Sequence, residues 1–272
     1  MIPTLAEVCS LNSPFAKDVE DYAAGGCGAV EVWLTKLETH LASHSVEDVQ
    51  RLVEHHDINL PVASFQGGLL SSQGEERKAH WEHFEQRLQL CRQLNIETMV
   101  VACDIADSLS QELLDRVSAS LTQAADLSAR HNVRIALEFQ RQATFGNNLQ
   151  TAATMVAEAG RANVGICLDA FQFFNGPSKL ADLGYLTADN LFHVQLCDIA
   201  GVPRELASDS HRIVPGDGDW PIGVLIDHLR SINYRGHVSI ELHNPTIWQV
   251  PARQFGEIAM SALGQLLESP AT

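Results

Sequence analysis

Apolar residues along the chain follow two patterns, short continuous runs and longer segments with a helical period. The short runs are rich in Val, Ile, Leu and aromatic residues, which is typical of strands buried on both faces. Eight such runs cover 4–9, 29–34, 61–66, 98–103, 133–139, 164–169, 192–197 and 237–242. Spacings of three and four residues predict helices between them, from Ser13 to Gly25, after Ser45, and at about 75–94, 109–131, 148–160, 178–186, 221–232 and 251–267.

This regular alternation of strand and helix predicts a single (β/α)8 TIM barrel that covers residues 1–272 as one domain. The alternative is an open doubly wound sheet. That fold expects a glycine-rich phosphate loop after the first strand, and the segment CSLNSPF at 9–15 has none. The barrel is therefore the better interpretation.

Composition narrows the class of partner. The chain has 18 Lys and Arg against 34 Asp and Glu, a formal charge of −16, which argues against nucleic acid as a partner. The six cysteines lack metal-binding or disulfide spacing and are expected to be buried free thiols of a reducing cytoplasm. We see no leader pattern and no apolar run of about 20 residues. These features predict a soluble cytoplasmic protein without a membrane partner.

Four oxygen-bearing side chains stand at or near the ends of four consecutive predicted strands. They are Glu138, Asp169, Gln195 and Glu241. The carboxyl ends of barrel strands meet at one mouth, where the active sites of such barrels form. Three carboxylates and one amide oxygen suit a hard divalent cation. The pattern therefore predicts a metal site and an enzyme.

The chain resembles the xylose isomerase-like TIM barrels, the superfamily of sugar phosphate isomerases and epimerases. The motifs that carry the resemblance are ALEF at 136–139, CLDAFQFF at 167–174, HVQLCD at 193–198, HRIVPGDGDWP at 211–221 and SIELHN at 239–244. The resemblance implies a divalent ion, Mn²⁺ before Mg²⁺ or Co²⁺, held by Glu138, Asp169, Gln195 and Glu241. Many members have histidine where this chain has Gln195; glutamine also occurs, notably in barrels similar to dehydroshikimate dehydratase.

The resemblance also implies the chemistry. Glu138 and Glu241 would remove and return the proton next to a substrate carbonyl while the ion stabilises the enediolate. We therefore expect a sugar (phosphate) isomerase or epimerase that acts on a small polyhydroxy carbonyl substrate. The alternative is a lyase of the dehydroshikimate or inosose dehydratase type, in which the same enolate expels a β-hydroxyl group.

Two candidate substrate-binding residues lie close to these motifs. Gln172 stands three residues after Asp169, where many relatives carry a histidine. Its amide can hydrogen-bond a hydroxyl group but cannot transfer a proton at neutral pH. Arg212 lies in the long segment 198–220, which is typical of a lid or binding loop. Its guanidinium could hold a substrate oxyanion, or form a salt bridge with Asp209, Asp217 or Asp219.

Two further candidates lie within strands. Glu31 matches a glutamate that is common near the substrate pocket in this superfamily, and its alternative role is that of a buried hydrogen-bonded acid. His193 points to the same side of its strand as Gln195, two residues earlier, and is a candidate for substrate contact or a rival metal ligand.

Two other classes fit less well. An apurinic endonuclease of the same superfamily needs further histidine and carboxylate ligands and a basic groove, which the charge of −16 opposes. A non-enzymatic binding barrel would not need Glu138, Asp169 and Glu241 together. A homo-oligomer is consistent with the relatives, but no surface feature of the sequence specifies one.

Overall fold

Eight strands pair in chain order to close a barrel in the computed structural model, which describes residues 1–268. The pairings are parallel in β1–β2, β1–β8, β3–β4, β4–β5, β5–β6 and β7–β8. The strands are β1 Ile2–Ala6, β2 Ala29–Trp33, β3 Asn59–Gln66, β4 Thr98–Cys103, β5 Arg134–Phe139, β6 Val164–Asp169, β7 Leu191–Leu196 and β8 His237–Ile240. The predicted (β/α)8 barrel is therefore confirmed.

Helices follow the strands as the sequence pattern predicts, and several begin at a side-chain cap. The α-helices are α1 Phe15–Ala24, α2 Leu34–Leu41, α3 Val46–His55, α4 Gly74–Gln93, α5 Gln111–Ala129, α6 Leu149–Ala159, α7 Ala170–Asn175, α8 Ile222–Ser231 and α9 Ala252–Glu268. Ser45 and Asp48 form a reciprocal capping box at the start of α3. Ser110 and Asn148 accept backbone N–H groups at the starts of α5 and α6.

The contacts of the chain define two compact units. The terminal unit comprises Met1–Pro61 and the chain from Val194 onward, and the central unit comprises Val62–His193. The single domain over 1–272 stays a prediction. In the terminal unit β1 pairs with β2 and β8, and β7 pairs with β8. Tyr22 of α1 lies against Phe255 of α9, with ring centroids 6.5 Å apart.

The central unit shows why the ends of its strands can carry polar groups. One buried cluster takes a residue from each of five strands: Val62, Val100, Ala136, Cys167 and Phe192. Glu138 pairs with Cys167 across β5 and β6. Paired residues share a face and alternate residues return to it, so Glu138 and Asp169 lie on the face that carries Ala136 and Cys167. The apolar cluster that contains Ala136 and Cys167 thus packs beneath the carboxylates of Glu138 and Asp169 on the same face of the strands.

Three predicted elements were wrong in detail, and four other strands, β2, β3, β5 and β7, differ from the predicted bounds by one or two residues. β1 ends at Ala6 instead of residue 9, because Glu7–Ser10 form a short 3-10 helix. The backbone carbonyl oxygens of Glu7 and Ser10 accept hydrogen bonds from Lys36 Nζ. The helix predicted at about 178–186 is a 3-10 helix, Leu180–Tyr185. Strand β8 ends at Ile240, so Glu241 follows the strand, although its N–H still bonds Leu196 O.

Two helices were not predicted. Helix α2 begins directly after β2, without an intervening turn that the sequence could signal. Helix α7 begins directly after β6, and Asp169 is both the last residue of that strand and the cap of the helix. All six cysteines are buried thiols, as predicted. Over residues 1–268 none of the helices combines the length and apolar character that crossing a bilayer requires.

Candidate active site

A buried hydrogen-bonded trio lies where β2, β7 and β8 of the terminal unit end. Gln195 Nε2 donates to Glu31 Oε1 at 2.7 Å and to Glu241 Oε1 at 3.0 Å. All three side chains are buried. If the Gln195 amide were flipped, its oxygen would face two carboxylates and could not accept a hydrogen bond from either. The two carboxylate partners therefore identify the atom facing them as the amide nitrogen. Glu31 is thus a buried, hydrogen-bonded acid, which is the alternative role considered for it from the sequence.

Arg212 balances the charge of this trio. Its Nη1 donates to Glu241 Oε2 at 2.8 Å, while Nε and Nη2 donate to Asp209 Oδ1 at 3.0 and 2.7 Å. The Arg212 side chain is only 2% exposed. The salt bridge with Asp209, one of the alternatives drawn from the sequence, is therefore present. A buried ion pair of this kind fixes the carboxylate because either partner alone would be costly to bury.

The long segment 198–220 is organised by Asp198, a residue that sequence reasoning missed. Its Oδ1 accepts N–H groups of Ile199 at 2.9 Å and Trp220 at 3.1 Å, and its Oδ2 accepts that of Gly216 at 3.1 Å. Its backbone also exchanges two hydrogen bonds with Ile213. The available signal was an acid directly after a strand and before a glycine-rich turn. This arrangement holds the chain on both sides of Arg212.

Asn244 is a second positioning residue that the sequence did not single out. Its Nδ2 donates to Arg212 O at 2.9 Å, and its Oδ1 accepts from Thr246 N at 2.9 Å. The motif SIELHN therefore contributes two groups: the carboxylate of Glu241 and the Asn244 amide, which hydrogen-bonds the backbone of Arg212.

Glu138 and Asp169 belong to the central unit. Glu138 is 6% exposed and Asp169 is fully buried. Asp169 Oδ1 accepts the N–H of Phe171 at 2.6 Å, which fixes the carboxylate at the start of α7. Burial raises the pKa of the nearby Cys103 thiol, and the charges of Asp104 and Glu138 raise it further. Asp104, which follows β4, and Glu138 on β5 therefore both lie near this thiol.

Gln172 has a definite structural role beside Asp169. Its Oε1 accepts the backbone N–H of Arg141 at 2.9 Å, and the side chain is 6% exposed. Arg141 in turn stacks its guanidinium over the Phe171 ring at 5.3 Å. Gln172 therefore ties the loop after β5 to helix α7, and its contact with substrate stays a prediction. His193 is fully buried, and its contact with substrate or metal is likewise a prediction.

His243 was not predicted and lies next to Glu241. Its Nε2 is 3.6 Å from Glu241 Oε1, and its side chain is 27% exposed. Its ring meets that of Trp33 edge to face, with centroids 5.5 Å apart and planes inclined by 73°. The sequence signal was the histidine in SIELHN.

A second buried polar cluster underlies the end of β1. Lys36 Nζ contacts Asp18 Oδ2 closely and donates to two backbone carbonyls, while Glu7 Oε2 accepts the N–H of Trp33 at 2.9 Å. Burial raises the pKa of Glu7 well above 4.5, and the negative charge of Asp18 raises it further. Burial also raises the pKa of Asp18, to about 6, although the nearby Lys36 acts to lower it.

The chemistry of the predicted ligand set suits a hard cation. The amide nitrogen of Gln195 is committed to Glu31 and Glu241, so its oxygen is the atom that could bind a metal. Each oxygen of Glu241 accepts one hydrogen bond and has capacity for a second partner. Within residues 1–268, no three His, Cys, Asp or Glu side chains form a ready-made metal cluster. The four-residue set, which includes an amide, stays a prediction.

The family model of the xylose isomerase-like TIM barrel matches residues 19–261. The chain belongs to this family. Inosose isomerase of Bacillus velezensis is 26% identical over 251 residues, which cover 89% of this chain and 88% of that protein. The 3-dehydroshikimate dehydratase of Pseudomonas aeruginosa is 25% identical over 249 residues, which cover 90% of this chain and 38% of that enzyme. These relatives are enzymes that act on small carbohydrate-like molecules.

Solved structures of xylose isomerase-like barrels share the fold over nearly the whole chain. The structure of the IOLI protein with a binding zinc atom has a TM-score of 0.92 at 23% identity and covers 98% of both chains. A D-psicose 3-epimerase in the presence of D-fructose has a TM-score of 0.77 at 19% identity, over 99% of this chain and 100% of the epimerase. The resemblance drawn from the sequence motifs is therefore confirmed at the level of family and fold.

Proposed function

We propose that this xylose isomerase-like barrel is a divalent-metal-dependent isomerase or epimerase of a small polyhydroxy ketone, with an inosose as the leading substrate. The observation that carries the proposal is the buried Glu241, clamped between the Gln195 amide and the Arg212 guanidinium. A carboxylate held this rigidly is suited to repeated proton transfer at one position. The similarity to inosose isomerase over most of both chains supports the substrate class.

Glu138 and Glu241 exchange the substrate proton in this proposal. One carboxylate takes the proton from the carbon next to the carbonyl; the electron pair of the broken C–H bond forms the C=C bond of an enediolate, and the π pair of the carbonyl moves to its oxygen. The other carboxylate returns a proton, either to the opposite face of the same carbon, which restores the original carbonyl, or to the former carbonyl carbon, in which case the adjacent hydroxyl group becomes the new carbonyl and its proton passes to the former carbonyl oxygen. The first outcome is epimerisation and the second is isomerisation, and neither consumes a co-reactant.

Asp169 and Gln195 complete the proposed ligand set with Glu138 and Glu241. A bound Mn²⁺, Mg²⁺ or Co²⁺ ion would supply Lewis-acid stabilisation of the negative charge that develops on the substrate oxygens. Gln195 also fixes the spacing of Glu31 and Glu241, because one amide group donates to both. Arg212 holds Glu241 from the other side and lets two neighbouring acids share a buried environment. We propose that Gln172 and His193 contribute to substrate binding.

A dehydratase is the second candidate. The similarity to 3-dehydroshikimate dehydratase favours it, although the match covers 38% of that enzyme. The first step, loss of the proton next to the carbonyl, is the same. A β-hydroxyl group would then leave as water after protonation. Within the candidate site, the amide of Gln172 cannot supply that proton at neutral pH, which favours isomerisation.

Deuterium uptake tests the proposal. The protein is loaded with Mn²⁺ and incubated in D₂O with ketoses, inososes and dehydroshikimate, and products are analysed by NMR. We expect an isomer that carries deuterium next to the carbonyl. A conjugated product formed with loss of water would assign the chain to the dehydratases, and no reaction with the whole panel would refute both.

Substitutions then assign the reaction to the site. Glu138→Gln and Glu241→Gln should each lower kcat by at least about a thousandfold with the fold intact by circular dichroism. Glu257→Gln, on the exposed side of α9, is the matched control and should keep the original rate. Near-normal turnover by Glu241→Gln would remove that residue from the mechanism.

A further inference from the structure

A cavity of about 530 Å³ lies beside the candidate active site, between the loop after β1 and helix α2. Both elements follow the carboxyl ends of strands, so the cavity opens on the face of the barrel where such enzymes bind substrate. Its volume is within the usual range for a small-molecule site. Nothing in the proposed reaction of Glu138 and Glu241 uses it.

Trp33 connects this cavity to the catalytic carboxylate. The side chain lines the cavity, and its ring contacts His243, whose Nε2 is 3.6 Å from Glu241 Oε1. The backbone of Trp33 is fixed because its N–H donates to the buried carboxyl group of Glu7 at 2.9 Å. A ligand that reaches Glu241 past this ring pair would therefore extend along Trp33 into the cavity.

The lining of the cavity is polar, and its described residues include no Asp, Glu or Arg and no exposed Lys. Hydroxyl and amide side chains supply hydrogen-bond donors and acceptors: Asn12, Ser13, Thr35, Thr39 and Ser43. Aromatic surface is supplied by Trp33. Hydroxyl groups beside an aromatic face suit a polyol, whose C–H groups can pack on the ring while its hydroxyls are hydrogen-bonded.

The one lysine of the lining is committed elsewhere. Lys36 is 8% exposed, and its ammonium group donates to the carbonyl oxygens of Glu7 and Ser10 and contacts Asp18 Oδ2. These three partners use the three donors of the ammonium group. His40 lies beside His44, with the rings stacked at 4.0 Å, and burial followed by the charge of His44 lowers the pKa of His40. Among residues 1–268 the lining therefore offers no lysine or arginine side chain that is available to a phosphate group.

We propose that this cavity is a subsite for the uncharged, hydroxyl-rich part of the ligand, with Trp33 as its wall next to Glu241, and that it does not hold a phosphate group. The assignment of that ligand as substrate rests on the proposed function. The existence of a polyol site does not, because binding can be measured without turnover.

Binding of myo-inositol, which has the hydroxyl groups but no carbonyl, tests the subsite directly. Titration calorimetry should show binding to the unmodified protein and at least about tenfold weaker binding to Thr39→Trp and Ser43→Trp, which fill the cavity from exposed positions. Ala42→Trp is the matched control, since Ala42 is an exposed neighbour that does not line the cavity, and it should bind normally. myo-Inositol 1-phosphate should bind no more tightly than myo-inositol.

Kinetics separate the two proposals. With an inosose substrate, both cavity-filling variants should raise KM by at least about tenfold while kcat stays within about twofold. Turnover with an unchanged KM would overturn the subsite and leave the proposed function standing. Loss of myo-inositol binding in the two variants, without inosose turnover by the unmodified protein, would support the subsite and refute the function. Absence of myo-inositol binding, or tighter binding of the phosphate, would overturn the subsite proposal.

Discussion

Arg212 and Glu241 form a buried ion pair, with Nη1 and Oε2 2.8 Å apart and side chains 2% and 6% exposed. The two residues are 29 positions apart, and the intervening chain contains helix α8 and strand β8. The pair therefore joins the long loop after β7 to the end of β8. The position of the Glu241 carboxylate, proposed to transfer protons, therefore depends on the conformation of the loop that carries Arg212.

Arg212→Met should cost both stability and activity. Removing one partner of a buried pair leaves an uncompensated charge, which typically costs about 3–5 kcal/mol. We expect a loss of that size in the free energy of unfolding, measured with urea, together with a lower kcat. Arg253→Met breaks an exposed pair with Glu257 and should change stability by less than about 1 kcal/mol. Equal effects of the two substitutions would contradict the role of Arg212.

Gln195→His should change the preferred metal. Imidazole nitrogen is a better ligand for Zn²⁺ than an amide oxygen is, whereas an all-oxygen set suits Mn²⁺ or Mg²⁺. After dialysis against equal concentrations of Zn²⁺ and Mn²⁺, elemental analysis should show a higher ratio of zinc to manganese in the variant. Gln249→His, at an exposed position, is the control and should keep the original ratio. An unchanged ratio in Gln195→His would argue that Gln195 is not a ligand.

Glu7→Gln should become progressively more stabilising as pH rises. The pKa of Glu7 is raised by burial, so the folded state retains its proton at pH values where the unfolded chain has lost it. This contribution to stability is fully present below the unfolded pKa and is lost as pH rises through the folded pKa. Glutamine stays neutral throughout. The difference in unfolding free energy between variant and unmodified protein should therefore grow from pH 4.5 to 7.5.

The control for this experiment is Glu47→Gln. Hydrogen bonds from its own backbone N–H and from the Ser45 side chain lower the pKa of Glu47. Its contribution is fully present above the unfolded pKa of about 4.5 and is lost as pH falls from there through the lowered folded pKa, so the difference for Glu47→Gln should be nearly constant from about pH 5.5 upward. A constant difference for Glu7→Gln as well would show that Glu7 is ionised in the folded state.

Gly218→Ala should loosen the loop that carries Arg212. A Cβ atom at this position would overlap Asp198 Oδ1 and Ile199 O, so the anchoring carboxylate must move. We expect lower stability by about 1–3 kcal/mol and a reduced kcat. Gly223→Ala in helix α8 meets nothing within 4 Å and should stabilise the protein by about 0.5–1 kcal/mol. Full activity and stability of Gly218→Ala would show that the loop tolerates displacement of Asp198.

Much of the fold was readable from local pattern. Strands β4 and β6 lie at the predicted bounds, 98–103 and 164–169, because they are continuous apolar runs between clear helical segments. Helices α5 and α6 begin within two residues of their predicted starts at 109 and 148, where Ser110 and Asn148 cap them. Where a helix begins directly at a strand end, as α2 and α7 do, no turn residue marks the boundary and the sequence did not predict them.

The sequence by itself determined the barrel, the family and the order of oxygen-bearing residues at strand ends, because strand period and chain order are local properties. Only the tertiary structure decided that Gln195 joins Glu31 to Glu241 and that Arg212 is buried against that acid. It also decided that Asp198 and Asn244 hold the loop around Arg212. Likewise, only the tertiary structure shows that Lys36 is buried with its ammonium group against Asp18. Hydrogen-bond partners far apart in sequence are selected by the requirement that buried polar groups be satisfied, which depends on three-dimensional position.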